Sequence, residues 1–416
     1  MSRLTVAAVV TGALALAAAT VPAQGRPDIF QVPLSHPTIA YTTAPTADRI
    51  SRLNKALAAG TIRLPFDPAS GYLRGVLAAT GVAVESQLLV FSQTSAQADH
   101  ISFANPRAIY FDDDLAVGWV RGAEALEVAV HDPRQGAVFY TLAQRPTDTP
   151  QFRRDNGCLL CHAIFETHGV PGFQVLSTFP MANADAYASG VASDHGTPFP
   201  QRWGGWFVTG RSVPAQHLGN LPVVRPVGSH AMPEAPVLAS VQGQFDLAGF
   251  PTDTSDIVAL LVLEHQARVA NALTWLGWEA RVAEPTPAGR DRVAYVAREV
   301  VDDMLLVGEV PLGQPVEGTS GFARRFVEKG RRDRQGRSLR DLDLQTRLFR
   351  YPCSYMIDSA AFAALPPEAR LAVYARLREV LSGAEGSPRY ADLAPATRQA
   401  IVEILRDTRD DLPAGW

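Results

Sequence analysis

Five consecutive residues, Cys158-Leu159-Leu160-Cys161-His162, bring the chain's reactive side chains together at a spacing with chemical meaning. Two thiols three positions apart share one turn, and an imidazole follows the second. This arrangement suits covalent attachment of haem: the thiols add to its two vinyl groups, and the imidazole binds iron from beneath the macrocycle. Two other readings use the same residues. A thioredoxin-type redox pair also has C-x-x-C but wants a βαβ context, which is weak here. A structural zinc site usually needs a second ligand pair, and the one other cysteine, Cys353, is distant and single. Covalent haem is favoured. The expected cofactor is one haem c with its iron, held by Cys158, Cys161 and His162.

What stands opposite His162 decides the chemistry, because a second strong ligand gives an electron-transfer haem and a vacancy gives a site for a small molecule. His265 ranks first as metal ligand. It falls within an apolar stripe, Val258, Val262, His265, Val269, Ala272 and Leu276, whose spacings of four and three define one helical face. A rigid helix also holds a ligand better than a loop does. Against this, a lone histidine on an apolar face is more often a satisfied core residue. Met232, before Pro233, and His217 follow; Met181 and His195 are further candidates, and five-coordination is the remaining case.

The beginning of the chain reads as a secretory signal over residues 1–23. Arg3 is its positive charge, Leu4 to Ala19 its apolar run, and Val21-Pro22-Ala23 its cleavage site. Export to a periplasm agrees with haem attachment, which in bacteria takes place beyond the cytoplasmic membrane. After cleavage no stretch is apolar enough to span a bilayer. The composition, 47% hydrophobic and 19% charged with a net charge of −4, gives no reason to expect nucleic-acid binding. Three cysteines exclude a disulfide framework, and Cys353 reads as a small buried hydrophobe.

The elements that must position these groups change character along the chain. Residues 24–150 form a β-rich unit with two short helices, Asp48 to Ala59 and Ser70 to Thr80. Five β-branched or aromatic runs lie between Gln87 and Leu142, separated by turn residues such as Asp112-Asp113-Asp114. These aspartates lack EF-hand spacing and read as a solvated turn. Residues 151–282 form a haem region with long loops, Met181 to Pro200 and Pro222 to Pro236. It carries one strand, Trp203 to Thr209, and one long helix capped by Ser255 or Asp256 and running to about Val282. Residues 283–416 are helical: Arg290 to Glu309, Pro367 to Ser382 and Pro395 to Asp407. The expected class is α+β, an antiparallel β-rich unit followed by a mainly helical haem-containing part. Arg324 to Arg350 holds ten Lys/Arg against four Asp/Glu. That run reads as a solvated face, with docking of an acidic partner or pairing with haem propionates as the sharper alternatives.

In its C-L-L-C-H motif the chain resembles the cytochrome c superfamily. The segments 201–210, 263–266 and 351–356 look similar to parts of large exported bacterial single-haem proteins of unestablished activity. The resemblance implies haem c and a periplasmic setting, and no substrate. A single C-x-x-C-H departs from the di-haem peroxidase pattern. The expected function is single-electron transfer with a redox partner protein. The alternative is a haem oxidoreductase acting on a small molecule through an open distal site, with Glu264 or His217 as acid/base candidates.

Overall fold

Five apolar runs between Leu88 and Ala143 pair with one another in chain order. The computed structural model describes residues 32–178, 190–222 and 234–416. The signal-like leader, Met181 and Met232 lie outside the described residues. Two short helices come first, α1 (Arg49–Ala58) and α2 (Leu73–Thr80). Asp48 caps α1 through Ser51 N–H at 2.8 Å and accepts from Tyr140 Oη at 2.7 Å, so one carboxylate both starts the helix and ties it to the sheet. The second helix starts three residues later than its sequence suggests, because Asp67 and Gly71 exchange backbone hydrogen bonds first.

The strands are β1 (Leu88–Val90), β2 (Arg107–Phe111), β3 (Leu115–Trp119), β4 (Ala125–Asp132), β5 (Gly136–Ala143) and β6 (Arg153–Arg154). They form an antiparallel meander, closed beyond β1 by β9 (Trp206–Phe207) in the order β6-β5-β4-β3-β2-β1-β9. A separate ribbon pairs β7 (Leu176–Thr178) with β8 (Gly190–Ala192). Period-two alternation sorts the side chains between faces. One face, with Tyr110, Val117, Trp119, Leu126, Val128 and Val138, is closed to solvent. On the other, Ile109, Ala116, Ala129 and Thr141 are only half-buried.

The stretch Trp203 to Thr209, expected as one strand, joins the sheet at Trp206 and Phe207, and Thr209 adds isolated bridges to Leu238 and Asp256. Trp203 (φ 67°) and Gly205 (φ 84°) are left-handed, so the chain turns there instead of extending. The Gly205 carbonyl accepts from Phe91 and Ser92 N–H and ends the sheet at that edge.

Helices follow: the single turn α3 (Leu159–His162), then α4 (Ile257–Val282), α5 (Pro287–Met304), α6 (Phe322–Glu328), α7 (Ala360–Ala363), α8 (Pro367–Leu381) and α9 (Pro395–Thr408). The fold is α+β, the antiparallel sheet first and the mainly helical part after it. Helix α5 ends earlier than the pattern to Glu309 suggests, because Leu306 is left-handed (φ 53°). Among the described residues no helix is long and apolar enough to cross a membrane.

Helix α4 is the axis of this arrangement. Of its 26 residues only Arg268, Arg281 and Val282 escape burial, so it has no solvent face. The apolar stripe through His265 is therefore one of several buried sides. A helix apolar all round belongs in a core, and one cluster of buried side chains runs from the sheet through α4 to α8 and α9. Its start is fixed by Asp256. One carboxylate oxygen caps Val258 and Ala259 N–H; the other accepts from Thr319 N, Ser320 N and Ser320 Oγ at 2.8–2.9 Å. Asp256→Ala should lower unfolding free energy by about 1–2 kcal/mol for the cap alone, and by more because Thr319 and Ser320 lose their acceptor. A urea titration checks this: the midpoint falls with the slope unchanged, and an unmoved midpoint would remove Asp256 from that role.

Candidate functional site

The C-x-x-C-H residues occupy a single surface turn whose geometry is fixed from α4. Asp155 accepts from Gly157 N–H at 2.8 Å and opens a 3-10 turn, Asn156–Cys158, which runs directly into α3. Both motif thiols are unpaired; Cys158 is half-buried and Cys161 exposed. The apolar side chains beside them, Leu160 and Phe165, are 86% and 85% exposed. Large apolar groups left in water next to two free thiols make a surface that needs a cover.

His162 is held at two points by one glycine. Its carbonyl accepts from Gly172 N–H at 2.8 Å, and its Nδ1 lies 3.0 Å from the Gly172 carbonyl. A carbonyl only accepts, so Nδ1 carries the proton and Nε2 keeps its lone pair. Burial lowers the imidazole's basicity, which further favours the neutral ring that a metal requires. The Phe139 ring of β5 sits 4.7 Å from the imidazole and sets its inclination.

Gly172 is itself placed by α4. Asn271, buried on that helix, accepts from Phe173 N–H at 2.8 Å and donates to the Phe173 carbonyl at 2.7 Å, completing the backbone pairing that a strand would provide. A Cβ on Gly172 would come within 2.4 Å of Asn271 Oδ1, so only glycine permits this approach. The chain of support therefore runs from Asn271 through Phe173 and Gly172 to His162. Sequence reasoning missed Asn271, Gly172 and Phe139 as site residues. Nothing in their types announces the role, which depends on a contact spanning 98 positions.

The other candidates lie elsewhere. His265 is six residues before Asn271 on α4, about 9 Å along the helix and about 120° around it. It is fully buried, with Nε2 2.7 Å from Ser354 Oγ and its ring against Phe349 and His195. The structure brings Cys158, Cys161 and His162 together and leaves His265 on another side of α4, in the setting of a core histidine. His217 accepts from Gly219 N–H at Nδ1 and packs on Trp203. Glu264 is closed in by Trp203 Nε1 at 2.9 Å, Arg202 at 3.1 Å and Ser193 Oγ, and desolvation pushes its carboxyl up to about 7. It serves as the centre of a buried ionic network.

Most cations of the arginine-rich stretch are exposed, as expected of a solvated face, and several are matched to carboxylates. Arg334 pairs with Asp407, Arg337 with Asp333 and Glu403, Arg340 with Asp113 and Arg347 with Glu309, all at 2.5–2.8 Å. The three-aspartate turn, expected to be solvated, is by contrast half-buried and tied by Arg49 to Asp112 and Asp114. Cys353 is fully buried, and burial pushes its thiol up to about 12.

No family model, curated protein or solved structure matches the chain. The chemistry of the turn must be argued from its own atoms. A redox-active thiol pair needs a low-pKa thiolate; burial, then Asp155 and Glu127, push Cys158 up to about 11. The turn follows an antiparallel meander, which is no βαβ unit. Two thiols on one turn, an imidazole with a free Nε2, and bare apolar neighbours fit a covalently bound haem c.

Two outcomes are expected. Asn271→Ala removes a reciprocal pair of hydrogen bonds and should cost about 1–3 kcal/mol, read as a lowered denaturation midpoint; an unchanged midpoint would break the chain of support to His162. The second concerns His131, buried on β4 with Nε2 3.3 Å from Thr274 Oγ1 and held by burial at about 4 against an ordinary 6.5. Between these values the unfolded chain binds a proton that the native one refuses, so stability falls as pH drops from 6.5 to 4. Glu264 acts in the opposite sense, since its raised carboxyl takes up a proton in the folded state first. His131→Gln should shrink the stability difference between pH 7 and pH 4.5 by at most about 3 kcal/mol; an unaltered difference would exclude His131 as a contributor.

Proposed function

We propose that this chain is an exported, mono-haem c-type cytochrome that exchanges single electrons with a redox partner protein. The observation that carries the reading is the Gly172 carbonyl on His162 Nδ1, which leaves Nε2 free on the same turn as two unpaired thiols. The thiols of Cys158 and Cys161 would hold the haem, each adding across one vinyl double bond with sulfur to one carbon and the thiol proton to the other, so that no oxidant would be needed. The bound iron would supply a one-electron couple between ferrous and ferric states.

The protein's own residues do the rest. The Gly172 carbonyl holds the imidazole in one tautomer and strengthens it as a donor. Phe139 fixes the ring's inclination, and Asn271 keeps the supporting loop against a rigid helix. Leu160 and Phe165 supply apolar cover at the macrocycle's edge. Exposure of Cys161 puts the attachment edge at the surface, where a partner can approach within a short distance. The signal-like leader and the need to attach haem outside the cytoplasm support a periplasmic setting.

The test is an absorption spectrum of periplasmically matured protein, oxidised and reduced, with and without carbon monoxide. A covalent haem that resists acid–acetone extraction is expected, lost in the Cys158→Ala/Cys161→Ala double variant. Low-spin bands unmoved by carbon monoxide are the expected signature of an electron carrier. High-spin bands that shift readily would replace that reading with a haem oxidoreductase acting on a small molecule. Absence of covalent haem would sink both.

A further inference from the structure

The meander has one closed face and one that the described residues do not finish covering. Cross-strand register sorts the second face into rows. Phe139, Ala129, Ala116 and Phe111 lie directly opposite one another across β5, β4, β3 and β2; Thr141, Glu127, Gly118 and Ile109 form the next row. Helix α4 serves this face at the end near the β2–β3 turn, where Gln266 Nε2 donates to the Asp112 carbonyl and Thr274 meets His131. Away from that end, Ile109, Ala116 and Ala129 remain half-buried apolar groups. The row that begins at Phe139, the residue in ring contact with His162, continues through two alanines, which leave depth above the sheet.

At the margin of this shallow floor stands an arginine with unused capacity. Arg107, at the start of β2, pairs with Glu127 at 2.7 Å, and Glu127 also accepts from Ser95 Oγ. The guanidinium lies across Gly118: a Cβ there would come 2.6 Å from Nη2 and 2.8 Å from Nε. A residue without a side chain in the middle of a strand is thereby explained, since it gives the guanidinium its bed. Arg107 Nε is buried and has no hydrogen-bond partner among the described residues. The charges of Arg107 and Glu127 reach both the Cys158 thiol and the His162 imidazole, so the pair stands close to the attachment turn. The basic stretch 324–350, by contrast, has its main arginines already matched to carboxylates.

We infer that the half-open sheet face floored by Ile109, Ala116 and Ala129 is the wall against which the haem lies, and that Arg107 holds one of its propionate carboxylates while Glu127 positions the guanidinium. The inference rests on the haem c reading and adds what that reading does not contain, a β-sheet wall and a named carboxylate partner. A planar guanidinium with a free N–H edge suits a carboxylate, and small apolar side chains suit the flat face or edge of a macrocycle. Arg107 is a positioning residue: its charge acts on the potential of the bound group and takes no part in bond making.

The experiment uses the full chain matured in a periplasm, in five forms: wild type, Arg107→Gln, Arg107→Lys, Ala129→Trp and, as control, Ala384→Trp at an exposed loop position. Covalent haem per chain, circular dichroism and midpoint potential are measured for each. Arg107→Gln should keep its haem but show a lower midpoint potential, because losing a cation favours the more positive ferric state; Arg107→Lys should restore most of the shift. Ala129→Trp should fold with native dichroism yet carry at least tenfold less covalent haem, while Ala384→Trp matches wild type. Wild-type haem content in Ala129→Trp together with wild-type potential in Arg107→Gln would overturn the inference and leave the cytochrome reading standing. If Ala129→Trp does not fold, the two Arg107 variants decide alone. A wild-type chain that acquires no covalent haem would instead be a failure of the underlying reading.

Discussion

A helix with no solvent face imposes a condition on everything around it: each polar group it carries inward must find a partner in the protein. Burying a polar group without a hydrogen bond costs several times what a good one contributes. On α4 that condition is met at most positions, with His265 Nδ1 left without a partner among the described residues. Asp256 collects five donors at the N-terminus, Glu264 is matched by Arg202, Trp203 and Ser193, Gln266 bridges Tyr355 and the Asp112 carbonyl, and Asn271 is matched by the backbone of Phe173. Each match reaches a different stretch of chain. The helix thereby sets where the sheet, the motif loop and the C-terminal part lie, and the site inherits its geometry from these obligations.

Local signals in the sequence carried far on some elements. The cap at Asp256 and the end at Val282 are legible because capping chemistry and a helical period are local properties. The five strand runs are legible because alternation between faces is local too. The C-x-x-C-H residues announce themselves through spacing alone. What escaped depends on partners far along the chain. His265 looked like an inward ligand because a stripe identifies a buried side without saying what faces it; Ser354 and Phe349 do. Most cations of the arginine run are exposed, as its charge suggests, but its ion pairs escaped because Asp407, Glu403, Asp113 and Glu309 lie outside it. Asn271 carried no signal, since an amide on a helix becomes informative only once Phe173 lies against it.

The sheet and the helices divide the work between them. The closed face of the meander gives α1 and α2 something to pack on, and the Asp48 carboxylate joins α1 to β5. The opposite face brings Phe139, Arg107 and Glu127 toward the turn that carries the thiols. Rigid secondary structure thus stands on two sides of a loop that is also hydrogen-bonded within itself, and a site held that way keeps its geometry better than a loop alone.

Order of synthesis gives the Asn271 contact a further meaning. The turn at 156–162 is held to β5 by Asp155 N–H on the Phe139 carbonyl and by Ala137 N–H on the Pro171 carbonyl, and it gains its tie to α4 when a helix 98 positions downstream grips Phe173. In a chain that emerges from its N-terminus, the sheet can assemble while that helix has yet to appear. During this interval the segment that carries the two thiols is held to the sheet on one side alone; once α4 docks, it is held from both. The Asn271 contact is thus the last of the turn's ties to become available as the chain emerges.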